Sequence, residues 1–196
     1  MKTLTALLIA VASLYLADSA NAQTSQWSGT CHVTFGGKST LHDFEGTVDS
    51  EPFIVTITGI DNPANAKASS VVTVKADNMD TDNDKRDTEM YKTLDTTTYP
   101  EIKVSIADLT AAATKPKTGG TFPQPTVIPF TLDIKGKTLP LTGSVSDWTY
   151  AEDKISFTVS FPVSLKDADI KPPSVLGLIK VKDEITVQGK LSLTRK

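Results

Sequence analysis

The strongest constraint on the fold is the repeated alternation of apolar and polar residues. Between Trp27 and Phe35, apolar or small residues occupy every second position and polar residues stand between them. Comparable stretches recur to the end of the chain, about eight in all, and a period of two is typical of a half-buried β-strand. Such strands form antiparallel sheets with one wet face. A sandwich and a closed barrel both fit the pattern, and periodicity does not separate them.

One short helix is predicted near residues 84–95, between two alternating strands. Met90 and Leu94 are four positions apart, so on a helix they share one face and can lie over one end of a sheet. Tyr99 precedes Pro100, and the residue before a proline favours extended geometry. We therefore expect Tyr99 to end the helical segment and turn the chain into the next strand. Strand, helix and strand together predict a lid on a β-structure.

The first 22 residues have the organisation of a cleavable secretory signal. Lys2 precedes an apolar run from Leu4 to Ala17, and small residues follow up to Ala22. The run is shorter than the roughly 20 residues that a membrane-spanning helix needs. The sequence predicts cleavage after Ala22, a single mature domain at 23–196, and a periplasmic or secreted protein that does not span the membrane.

Charge and cysteine content exclude several classes of protein. The formal net charge is −3 and no basic patch is visible, which argues against a nucleic-acid partner. A single cysteine excludes an internal disulfide, so stability must come from the core. Cys31 lies on the apolar face of its strand and is expected to be a buried, inert thiol. The oligomeric state is not determined by these features, and a homodimer is left open.

The sequence predicts no metal, no cofactor and no enzyme. The acids of 80–84 resemble the start of a calcium loop, but Lys85 and Tyr91 stand where that loop requires Gly and Glu. His32 and His42 are the two histidines of the chain. An aspartate follows His42, yet no nucleophile motif or metal-ligand spacing accompanies either residue.

Arg86, at the start of the predicted helix, has two interpretations. Its guanidinium could hold the phosphate or carboxylate of a ligand headgroup. Alternatively it pairs with Asp82, Asp84 and Asp87, and so fixes the loop. We favour the second interpretation, because that density of acids would repel an anion.

Four segments in order resemble the YceI-like family. Arg86-Asp87 at the start of the predicted helix, followed by Tyr99-Pro100-Glu101-Ile102, is similar to the signature of that family. The other three matching segments are 39–46, 130–138 and 177–185. The resemblance implies a lipocalin-like antiparallel β-barrel of about eight strands with one short helix. It also implies binding of a polyisoprenoid or another isoprenoid or fatty amphiphile. Thr96 to Thr98 replace an aromatic pair common in the family, which makes the expected mouth more polar.

A barrel of this size is either filled by its own side chains or holds one small ligand. The inward faces carry no charge in their repeating positions, so only an apolar ligand could enter without stranding polar groups. A filled barrel would instead indicate a structural or stress-related envelope protein. The predicted cavity lining consists of Val72, Val74, Ile102, Val104, Phe130, Leu132, Ile134, Phe157, Val159 and Phe161. The predicted mouth consists of Arg86, Met90, Leu94 and Tyr99.

Overall fold

The computed structural model describes residues 24–40, 42–59, 66–115, 124–151, 153–172, 174–175 and 179–196. The predicted signal peptide, at 1–22, lies outside the described residues. The strands are β1 (Thr24–Ser39), β2 (Phe44–Asp49), β3 (Phe53–Thr58), β4 (Lys67–Lys75), β5 (Glu101–Thr110), β6 (Val127–Ile134), β7 (Lys137–Ala151), β8 (Lys154–Ser164), β9 (Ser174–Val175) and β10 (Ile179–Arg195). Helix α1 spans Asp84–Leu94, and 3-10 turns occupy Ala76–Asn78 and Ala112–Thr114.

The strands form a closed antiparallel barrel. Their order is β2-β1-β3-β4-β5-β6-β7-β8-β10-β9, and β1 also pairs with β10, which closes the sheet. Strands β3 and β2 pair with successive halves of β1 and act as one interrupted strand, while β9 adds only a two-residue partner to β10. The result is an eight-stranded barrel with one helix. This confirms the barrel and excludes the sandwich.

The alternation in β1 separates the inside of the barrel from the outside as predicted. Trp27, Cys31 and Phe35 are buried and belong to the interior. His32 points outward, where its Nδ1 lies 2.7 Å from Oδ1 of Asp49 on β2. His32 therefore has a surface role in this fold.

The double glycine at 36–37 lies inside β1 and does not end the strand. Both residues pair with β2 and with β10, and the strand continues to Ser39. A Cβ at Gly37 would lie 2.6 Å from the Phe44 ring and 2.8 Å from Ile185 Cδ1. The missing side chain thus lets these two residues meet across the strand.

Helix α1 forms where the sequence predicts it. Asn83 is the N-cap, and its Oδ1 accepts a hydrogen bond from the Arg86 backbone N–H over 3.1 Å. Asp95 adopts a left-handed conformation (φ 53°) and ends the helix directly after Leu94. Tyr99 therefore does not end the helix; it follows a separate turn, in which its N–H donates to the carbonyl of Asp95 over 2.8 Å.

The topology gathers four connections at one end of the barrel. These are α1, the β1–β2 turn, the β6–β7 turn at Lys135-Gly136, and the segment between β8 and β10. We call this the α1 end and the opposite one the far end. In the part of the chain that the structure describes, no helix is long and apolar enough to cross a bilayer.

Candidate functional site

The barrel encloses a cavity of about 1030 Å³. This volume is at the upper end of the roughly 300–1,000 Å³ typical of small-molecule pockets. Side chains of β1–β8, β10 and α1 contribute to its wall. The barrel is therefore hollow, and the side-chain-filled alternative is not what the structure shows.

The cavity wall is largely apolar. Every residue of the predicted lining borders it: Val72, Val74, Ile102, Val104, Phe130, Leu132, Ile134, Phe157, Val159 and Phe161. Their contact with a ligand stays a prediction. Further apolar residues of the wall are Val33, Val55, Ile57, Ile106, Leu109, Ile128, Trp148, Ile155, Val181, Ile185, Val187, Leu191 and Leu193.

The two sides of the cavity are packed differently. On β6, and on β8 from Phe157 to Val163, the lining side chains are buried, and Phe130 meets Phe161 edge to face with ring centroids 4.8 Å apart. On β4 and β5 the lining side chains of Val72, Val104 and their strand neighbours are only half-buried. Because these side chains face the interior, the surface they leave open borders the cavity. Half-buried lining side chains also occur on β3 (Val55, Ile57) and β10 (Ile185, Val187, Leu191), so the empty space borders these strands as well as β4 and β5.

The charged side chains of the described lining all lie at the α1 end. Lys85, Arg86 and Glu89 belong to α1, and His42 belongs to the β1–β2 turn opposite it. Ser39 and Thr93 add hydroxyl groups at the same end. The cavity therefore has one charged end and a largely apolar body, while hydroxyl groups of Ser69, Ser70 and Thr114 border it towards the far end.

Arg86 is held in place by Thr81. Its Nε donates to Thr81 Oγ1 over 2.8 Å, and its Nη2 donates to the Thr81 carbonyl over 3.0 Å. The guanidinium carbon lies 5.6 Å from the centroid of the Phe44 ring, a cation–π distance. Arg86 is thus fixed between a loop and an aromatic ring at the edge of the cavity.

The predicted pairing of Arg86 with Asp82, Asp84 and Asp87 is wrong for the described residues, among which Arg86 forms no ion pair. Asp87 is buried and its Oδ1 accepts hydrogen bonds from the backbone N–H and the hydroxyl of Thr81, over 3.1 and 2.5 Å. Asp82 and Asp84 are exposed. Thr81 therefore stands between the arginine and the buried carboxylate, and no sequence signal marks this residue.

The other predicted mouth residues divide into two groups. Met90 and Leu94 line the cavity, with Leu94 buried. Tyr99 lies elsewhere and is not part of the lining: it is 37% exposed and its ring covers Gly136. A Cβ on Gly136, whose φ is +74°, would lie 2.9 Å from Cε1 of Tyr99. The turn after Leu94 carries the chain away from the cavity, which is why Tyr99 is displaced.

Sequence reasoning missed Glu89 and Thr93, although a signal was present. Arg86, Glu89, Met90 and Thr93 stand at positions i, i+3, i+4 and i+7 of one helix, so they share a face. Continuing the i, i+3, i+4, i+7 pattern from the predicted Arg86 and Met90 finds Glu89 and Thr93 as well. The missed residues at the mouth are thus part of the same helical face as the predicted ones.

Two further candidates from the sequence are not functional groups in this geometry. Burial, with a smaller contribution from the charge of Asp49, raises the pKa of the Cys31 thiol to about 12. Asp80 accepts a hydrogen bond from the backbone N–H of Asp82 over 2.7 Å in an exposed loop. Among the described residues no three His, Cys, Asp or Glu side chains lie close enough together to hold a metal ion.

A closed antiparallel barrel with one helix over an apolar cavity defines the class of lipocalin-like β-barrels. Within that class, the sequence matches the YceI-like domain over residues 18–193. The chain belongs to the YceI-like family.

Solved structures share this fold at low sequence identity. BcnA of Burkholderia cenocepacia is 16% identical, with 83% of this chain and 95% of that chain covered and a TM-score of 0.57. A polyisoprenoid-binding domain from Saccharophagus degradans, implicated in plant cell wall breakdown, is 14% identical, with 89% and 99% covered and a TM-score of 0.53. Among curated proteins, none matches the chain significantly.

Proposed function

We propose that this protein binds a polyisoprenoid or another long-chain amphiphile, with the hydrocarbon tail inside the barrel. The observation that carries this proposal is the apolar cavity of about 1030 Å³. Membership of the YceI-like family supports it, and so does the fold shared with a polyisoprenoid-binding domain. The role is sequestration or carriage of the amphiphile rather than catalysis.

The chemistry of the wall favours a hydrocarbon chain over a polar metabolite. Each buried CH₂ of a ligand contributes roughly 0.8 kcal/mol through its removal from water. A polar group placed against the valines and isoleucines of β4 and β5 would lose its hydrogen bonds with water, at a cost on the order of 1–3 kcal/mol. A long tail can thus bind by burial alone.

The charged end of the cavity gives the amphiphile an orientation, with its headgroup at α1. The two nitrogens of Arg86 that bind Thr81 are Nε and Nη2, and Nη1 has no partner among the described residues. Nη1 can therefore donate to a headgroup oxygen without breaking the contacts that hold the side chain. Lys85 and Glu89 border the same space and offer one cation and one acceptor.

We also propose that the protein acts outside the cytoplasm, in the periplasm or after secretion. The support is the basic, apolar and small-residue succession of residues 1–22, with cleavage after Ala22. Amino-terminal sequencing of the protein recovered from the producing cells checks this. Gln23 at the amino terminus agrees with the proposal, and an intact Met1 in the exported fraction contradicts it.

Neighbouring valines of β4 provide a matched test of the binding site. Val72 lines the cavity, whereas Val71 points outward and is 50% exposed. We expect Val72→Asp to abolish uptake of a fluorescent acyl or isoprenoid probe, because a carboxylate would be buried without a partner. Val71→Asp should take up the probe like the wild type. Unchanged uptake by a folded Val72→Asp protein contradicts the proposed site.

A further inference from the structure

A β-bulge in β7 turns Trp148 into the cavity. In the register between β7 and β8, Ser146 pairs with Thr158 and Thr149 pairs with Ser156. Asp147 and Trp148 therefore lie together opposite the single residue Phe157. Two residues opposite one define a β-bulge. Asp147 accommodates it with a left-handed backbone (φ 53°), a conformation that Asp tolerates better than most residues.

The extra residue shifts the alternation of β7 by one position. Before the bulge, the inward positions are odd-numbered: Val145 pairs with Val159, which lines the cavity. Without the bulge, Trp148 would point to solvent. With it, Trp148 lines the cavity and its ring lies 5.1 Å from the Phe157 ring, centroid to centroid, at an interplanar angle of 31°. The bulge thus has one clear effect, which is to place the side chain of Trp148, one of two tryptophans in the chain, inside the barrel.

Trp148 lies near the far end, at the opposite side of the cavity from the charged mouth. Strand β8 and the residue after it line the cavity from Leu165, at the α1 end, to Ile155. At roughly 3.3 Å per residue this is about 33 Å along the strand. A tail whose headgroup stays at α1 therefore runs along the barrel towards the paired rings of Trp148 and Phe157.

We propose that Trp148 sets the length of hydrocarbon chain that the cavity accepts, by occupying its cross-section at the far end. This inference rests on the proposed function and adds to it the residue that determines specificity. The ring pair is rigid, because an indole packed on a phenyl ring has few rotamers to exchange. A tail that reaches it must stop, fold back or displace it.

The test is the affinity of saturated fatty acids of increasing chain length, measured by titration calorimetry. For the wild type, affinity rises by about fourfold per methylene, the equivalent of about 0.8 kcal/mol, until the tail reaches Trp148, and then stops rising. In Trp148→Ala the rise continues to longer chains. In Trp148→Phe, which keeps an aromatic ring, the affinity should stop rising at a chain length close to that of the wild type. Trp148→Leu replaces the alanine variant if the latter does not fold.

A second readout uses fluorescence. The chain has two tryptophans, and Trp27 is buried but does not line the cavity. In Trp27→Phe, only acids long enough to reach the far end should change the emission of Trp148. The role of Trp148 is contradicted if affinity stops rising at the same chain length in folded Trp148→Ala as in the wild type, or if no bound acid alters the emission of Trp148. Either result leaves the proposed function intact. Absence of binding by every acid and every isoprenoid to the wild type overturns the proposed function itself.

Discussion

Arg86 and Thr81 are joined by two hydrogen bonds, from Nε to the hydroxyl over 2.8 Å and from Nη2 to the carbonyl over 3.0 Å. The same hydroxyl donates to the buried carboxylate of Asp87. One buried threonine thus connects the first turn of α1 to the loop before it and fixes the cation at the mouth of the cavity. The position of the helix over the barrel depends on this small network.

Thr81→Val should destabilise the protein, because it removes the hydroxyl while keeping the shape. Arg86 loses its Nε acceptor and the buried Asp87 loses one of its two donors. Loss of a partner by buried polar groups costs about 1–3 kcal/mol. The free energy of unfolding in urea measures the effect.

Thr88→Val is the matched control for that measurement. Thr88 is exposed on the same helix, and its hydroxyl donates only to the backbone carbonyl of Asp84. A surface change of this kind is expected to stay within about 0.5 kcal/mol of the wild type. Equal unfolding free energies for the two variants would show that the Thr81 network does not hold the helix in place.

Stability should depend on pH through Glu101. Its carboxylate lies 2.8 Å from Lys103 Nζ and 2.5 Å from Lys75 Nζ, and these hydrogen bonds lower its pKa from 4.5 to about 2. Because the pKa is lowered by folding, the stabilisation is complete above pH 4.5 and is lost as the pH falls from 4.5 to 2. Glu101→Gln should therefore be less stable than the wild type at neutral pH, and the difference should vanish near pH 2.

Unfolding free energies at low ionic strength across this pH range measure the difference, since salt screens exposed ion pairs. Glu184 is an exposed strand glutamate that forms no ion pair with a described residue, so Glu184→Gln is the control. A stability difference for Glu101→Gln that is constant from neutral pH to pH 2 contradicts the assignment.

Cys31 should be nearly unreactive in the folded protein. Burial raises the pKa of its thiol from 9.0 to about 12, and the nearby charge of Asp49 adds to this. At a given pH below 9 the folded protein then holds about a thousandfold less thiolate than the unfolded chain, and thiolate is the reactive form. The rate of reaction with an aromatic disulfide reagent, with and without urea, checks this. Similar rates in both conditions would mean that the thiol is accessible.

Much of the fold could be predicted because alternation reports directly on which face of a strand is buried. The pattern from Trp27 to Phe35 predicts the buried face of β1, and Met90 with Leu94 predicts the face of α1 over the cavity. These are local relationships, and in β1 a shift of one residue would expose the whole apolar set. For that reason the strands and their inward faces could be predicted from the alternation. That the sheet closes into a barrel could be predicted only from the family resemblance.

Other features depend on residues that are distant in sequence. Thr81 acts because Arg86 and Asp87 converge on it, and nothing in a polar loop marks the central hydroxyl. The inward turn of Trp148 follows from an extra residue at Asp147, which simple alternation cannot show. Whether the barrel is hollow depends on the summed volumes of side chains from nine strands and a helix, so periodicity left it open.

Native mass spectrometry shows directly whether a hydrocarbon tail occupies the barrel. Protein stripped of lipid by refolding from denaturant would be mixed with a long-chain polyprenol and sprayed from a volatile buffer. We expect a complex with one polyprenol per chain for the wild type and for Val71→Asp, and none for folded Val72→Asp. A wild-type protein that is folded yet stays free of polyprenol and of every fatty acid offered, or a Val72→Asp protein that still forms the complex, would contradict the proposed binding.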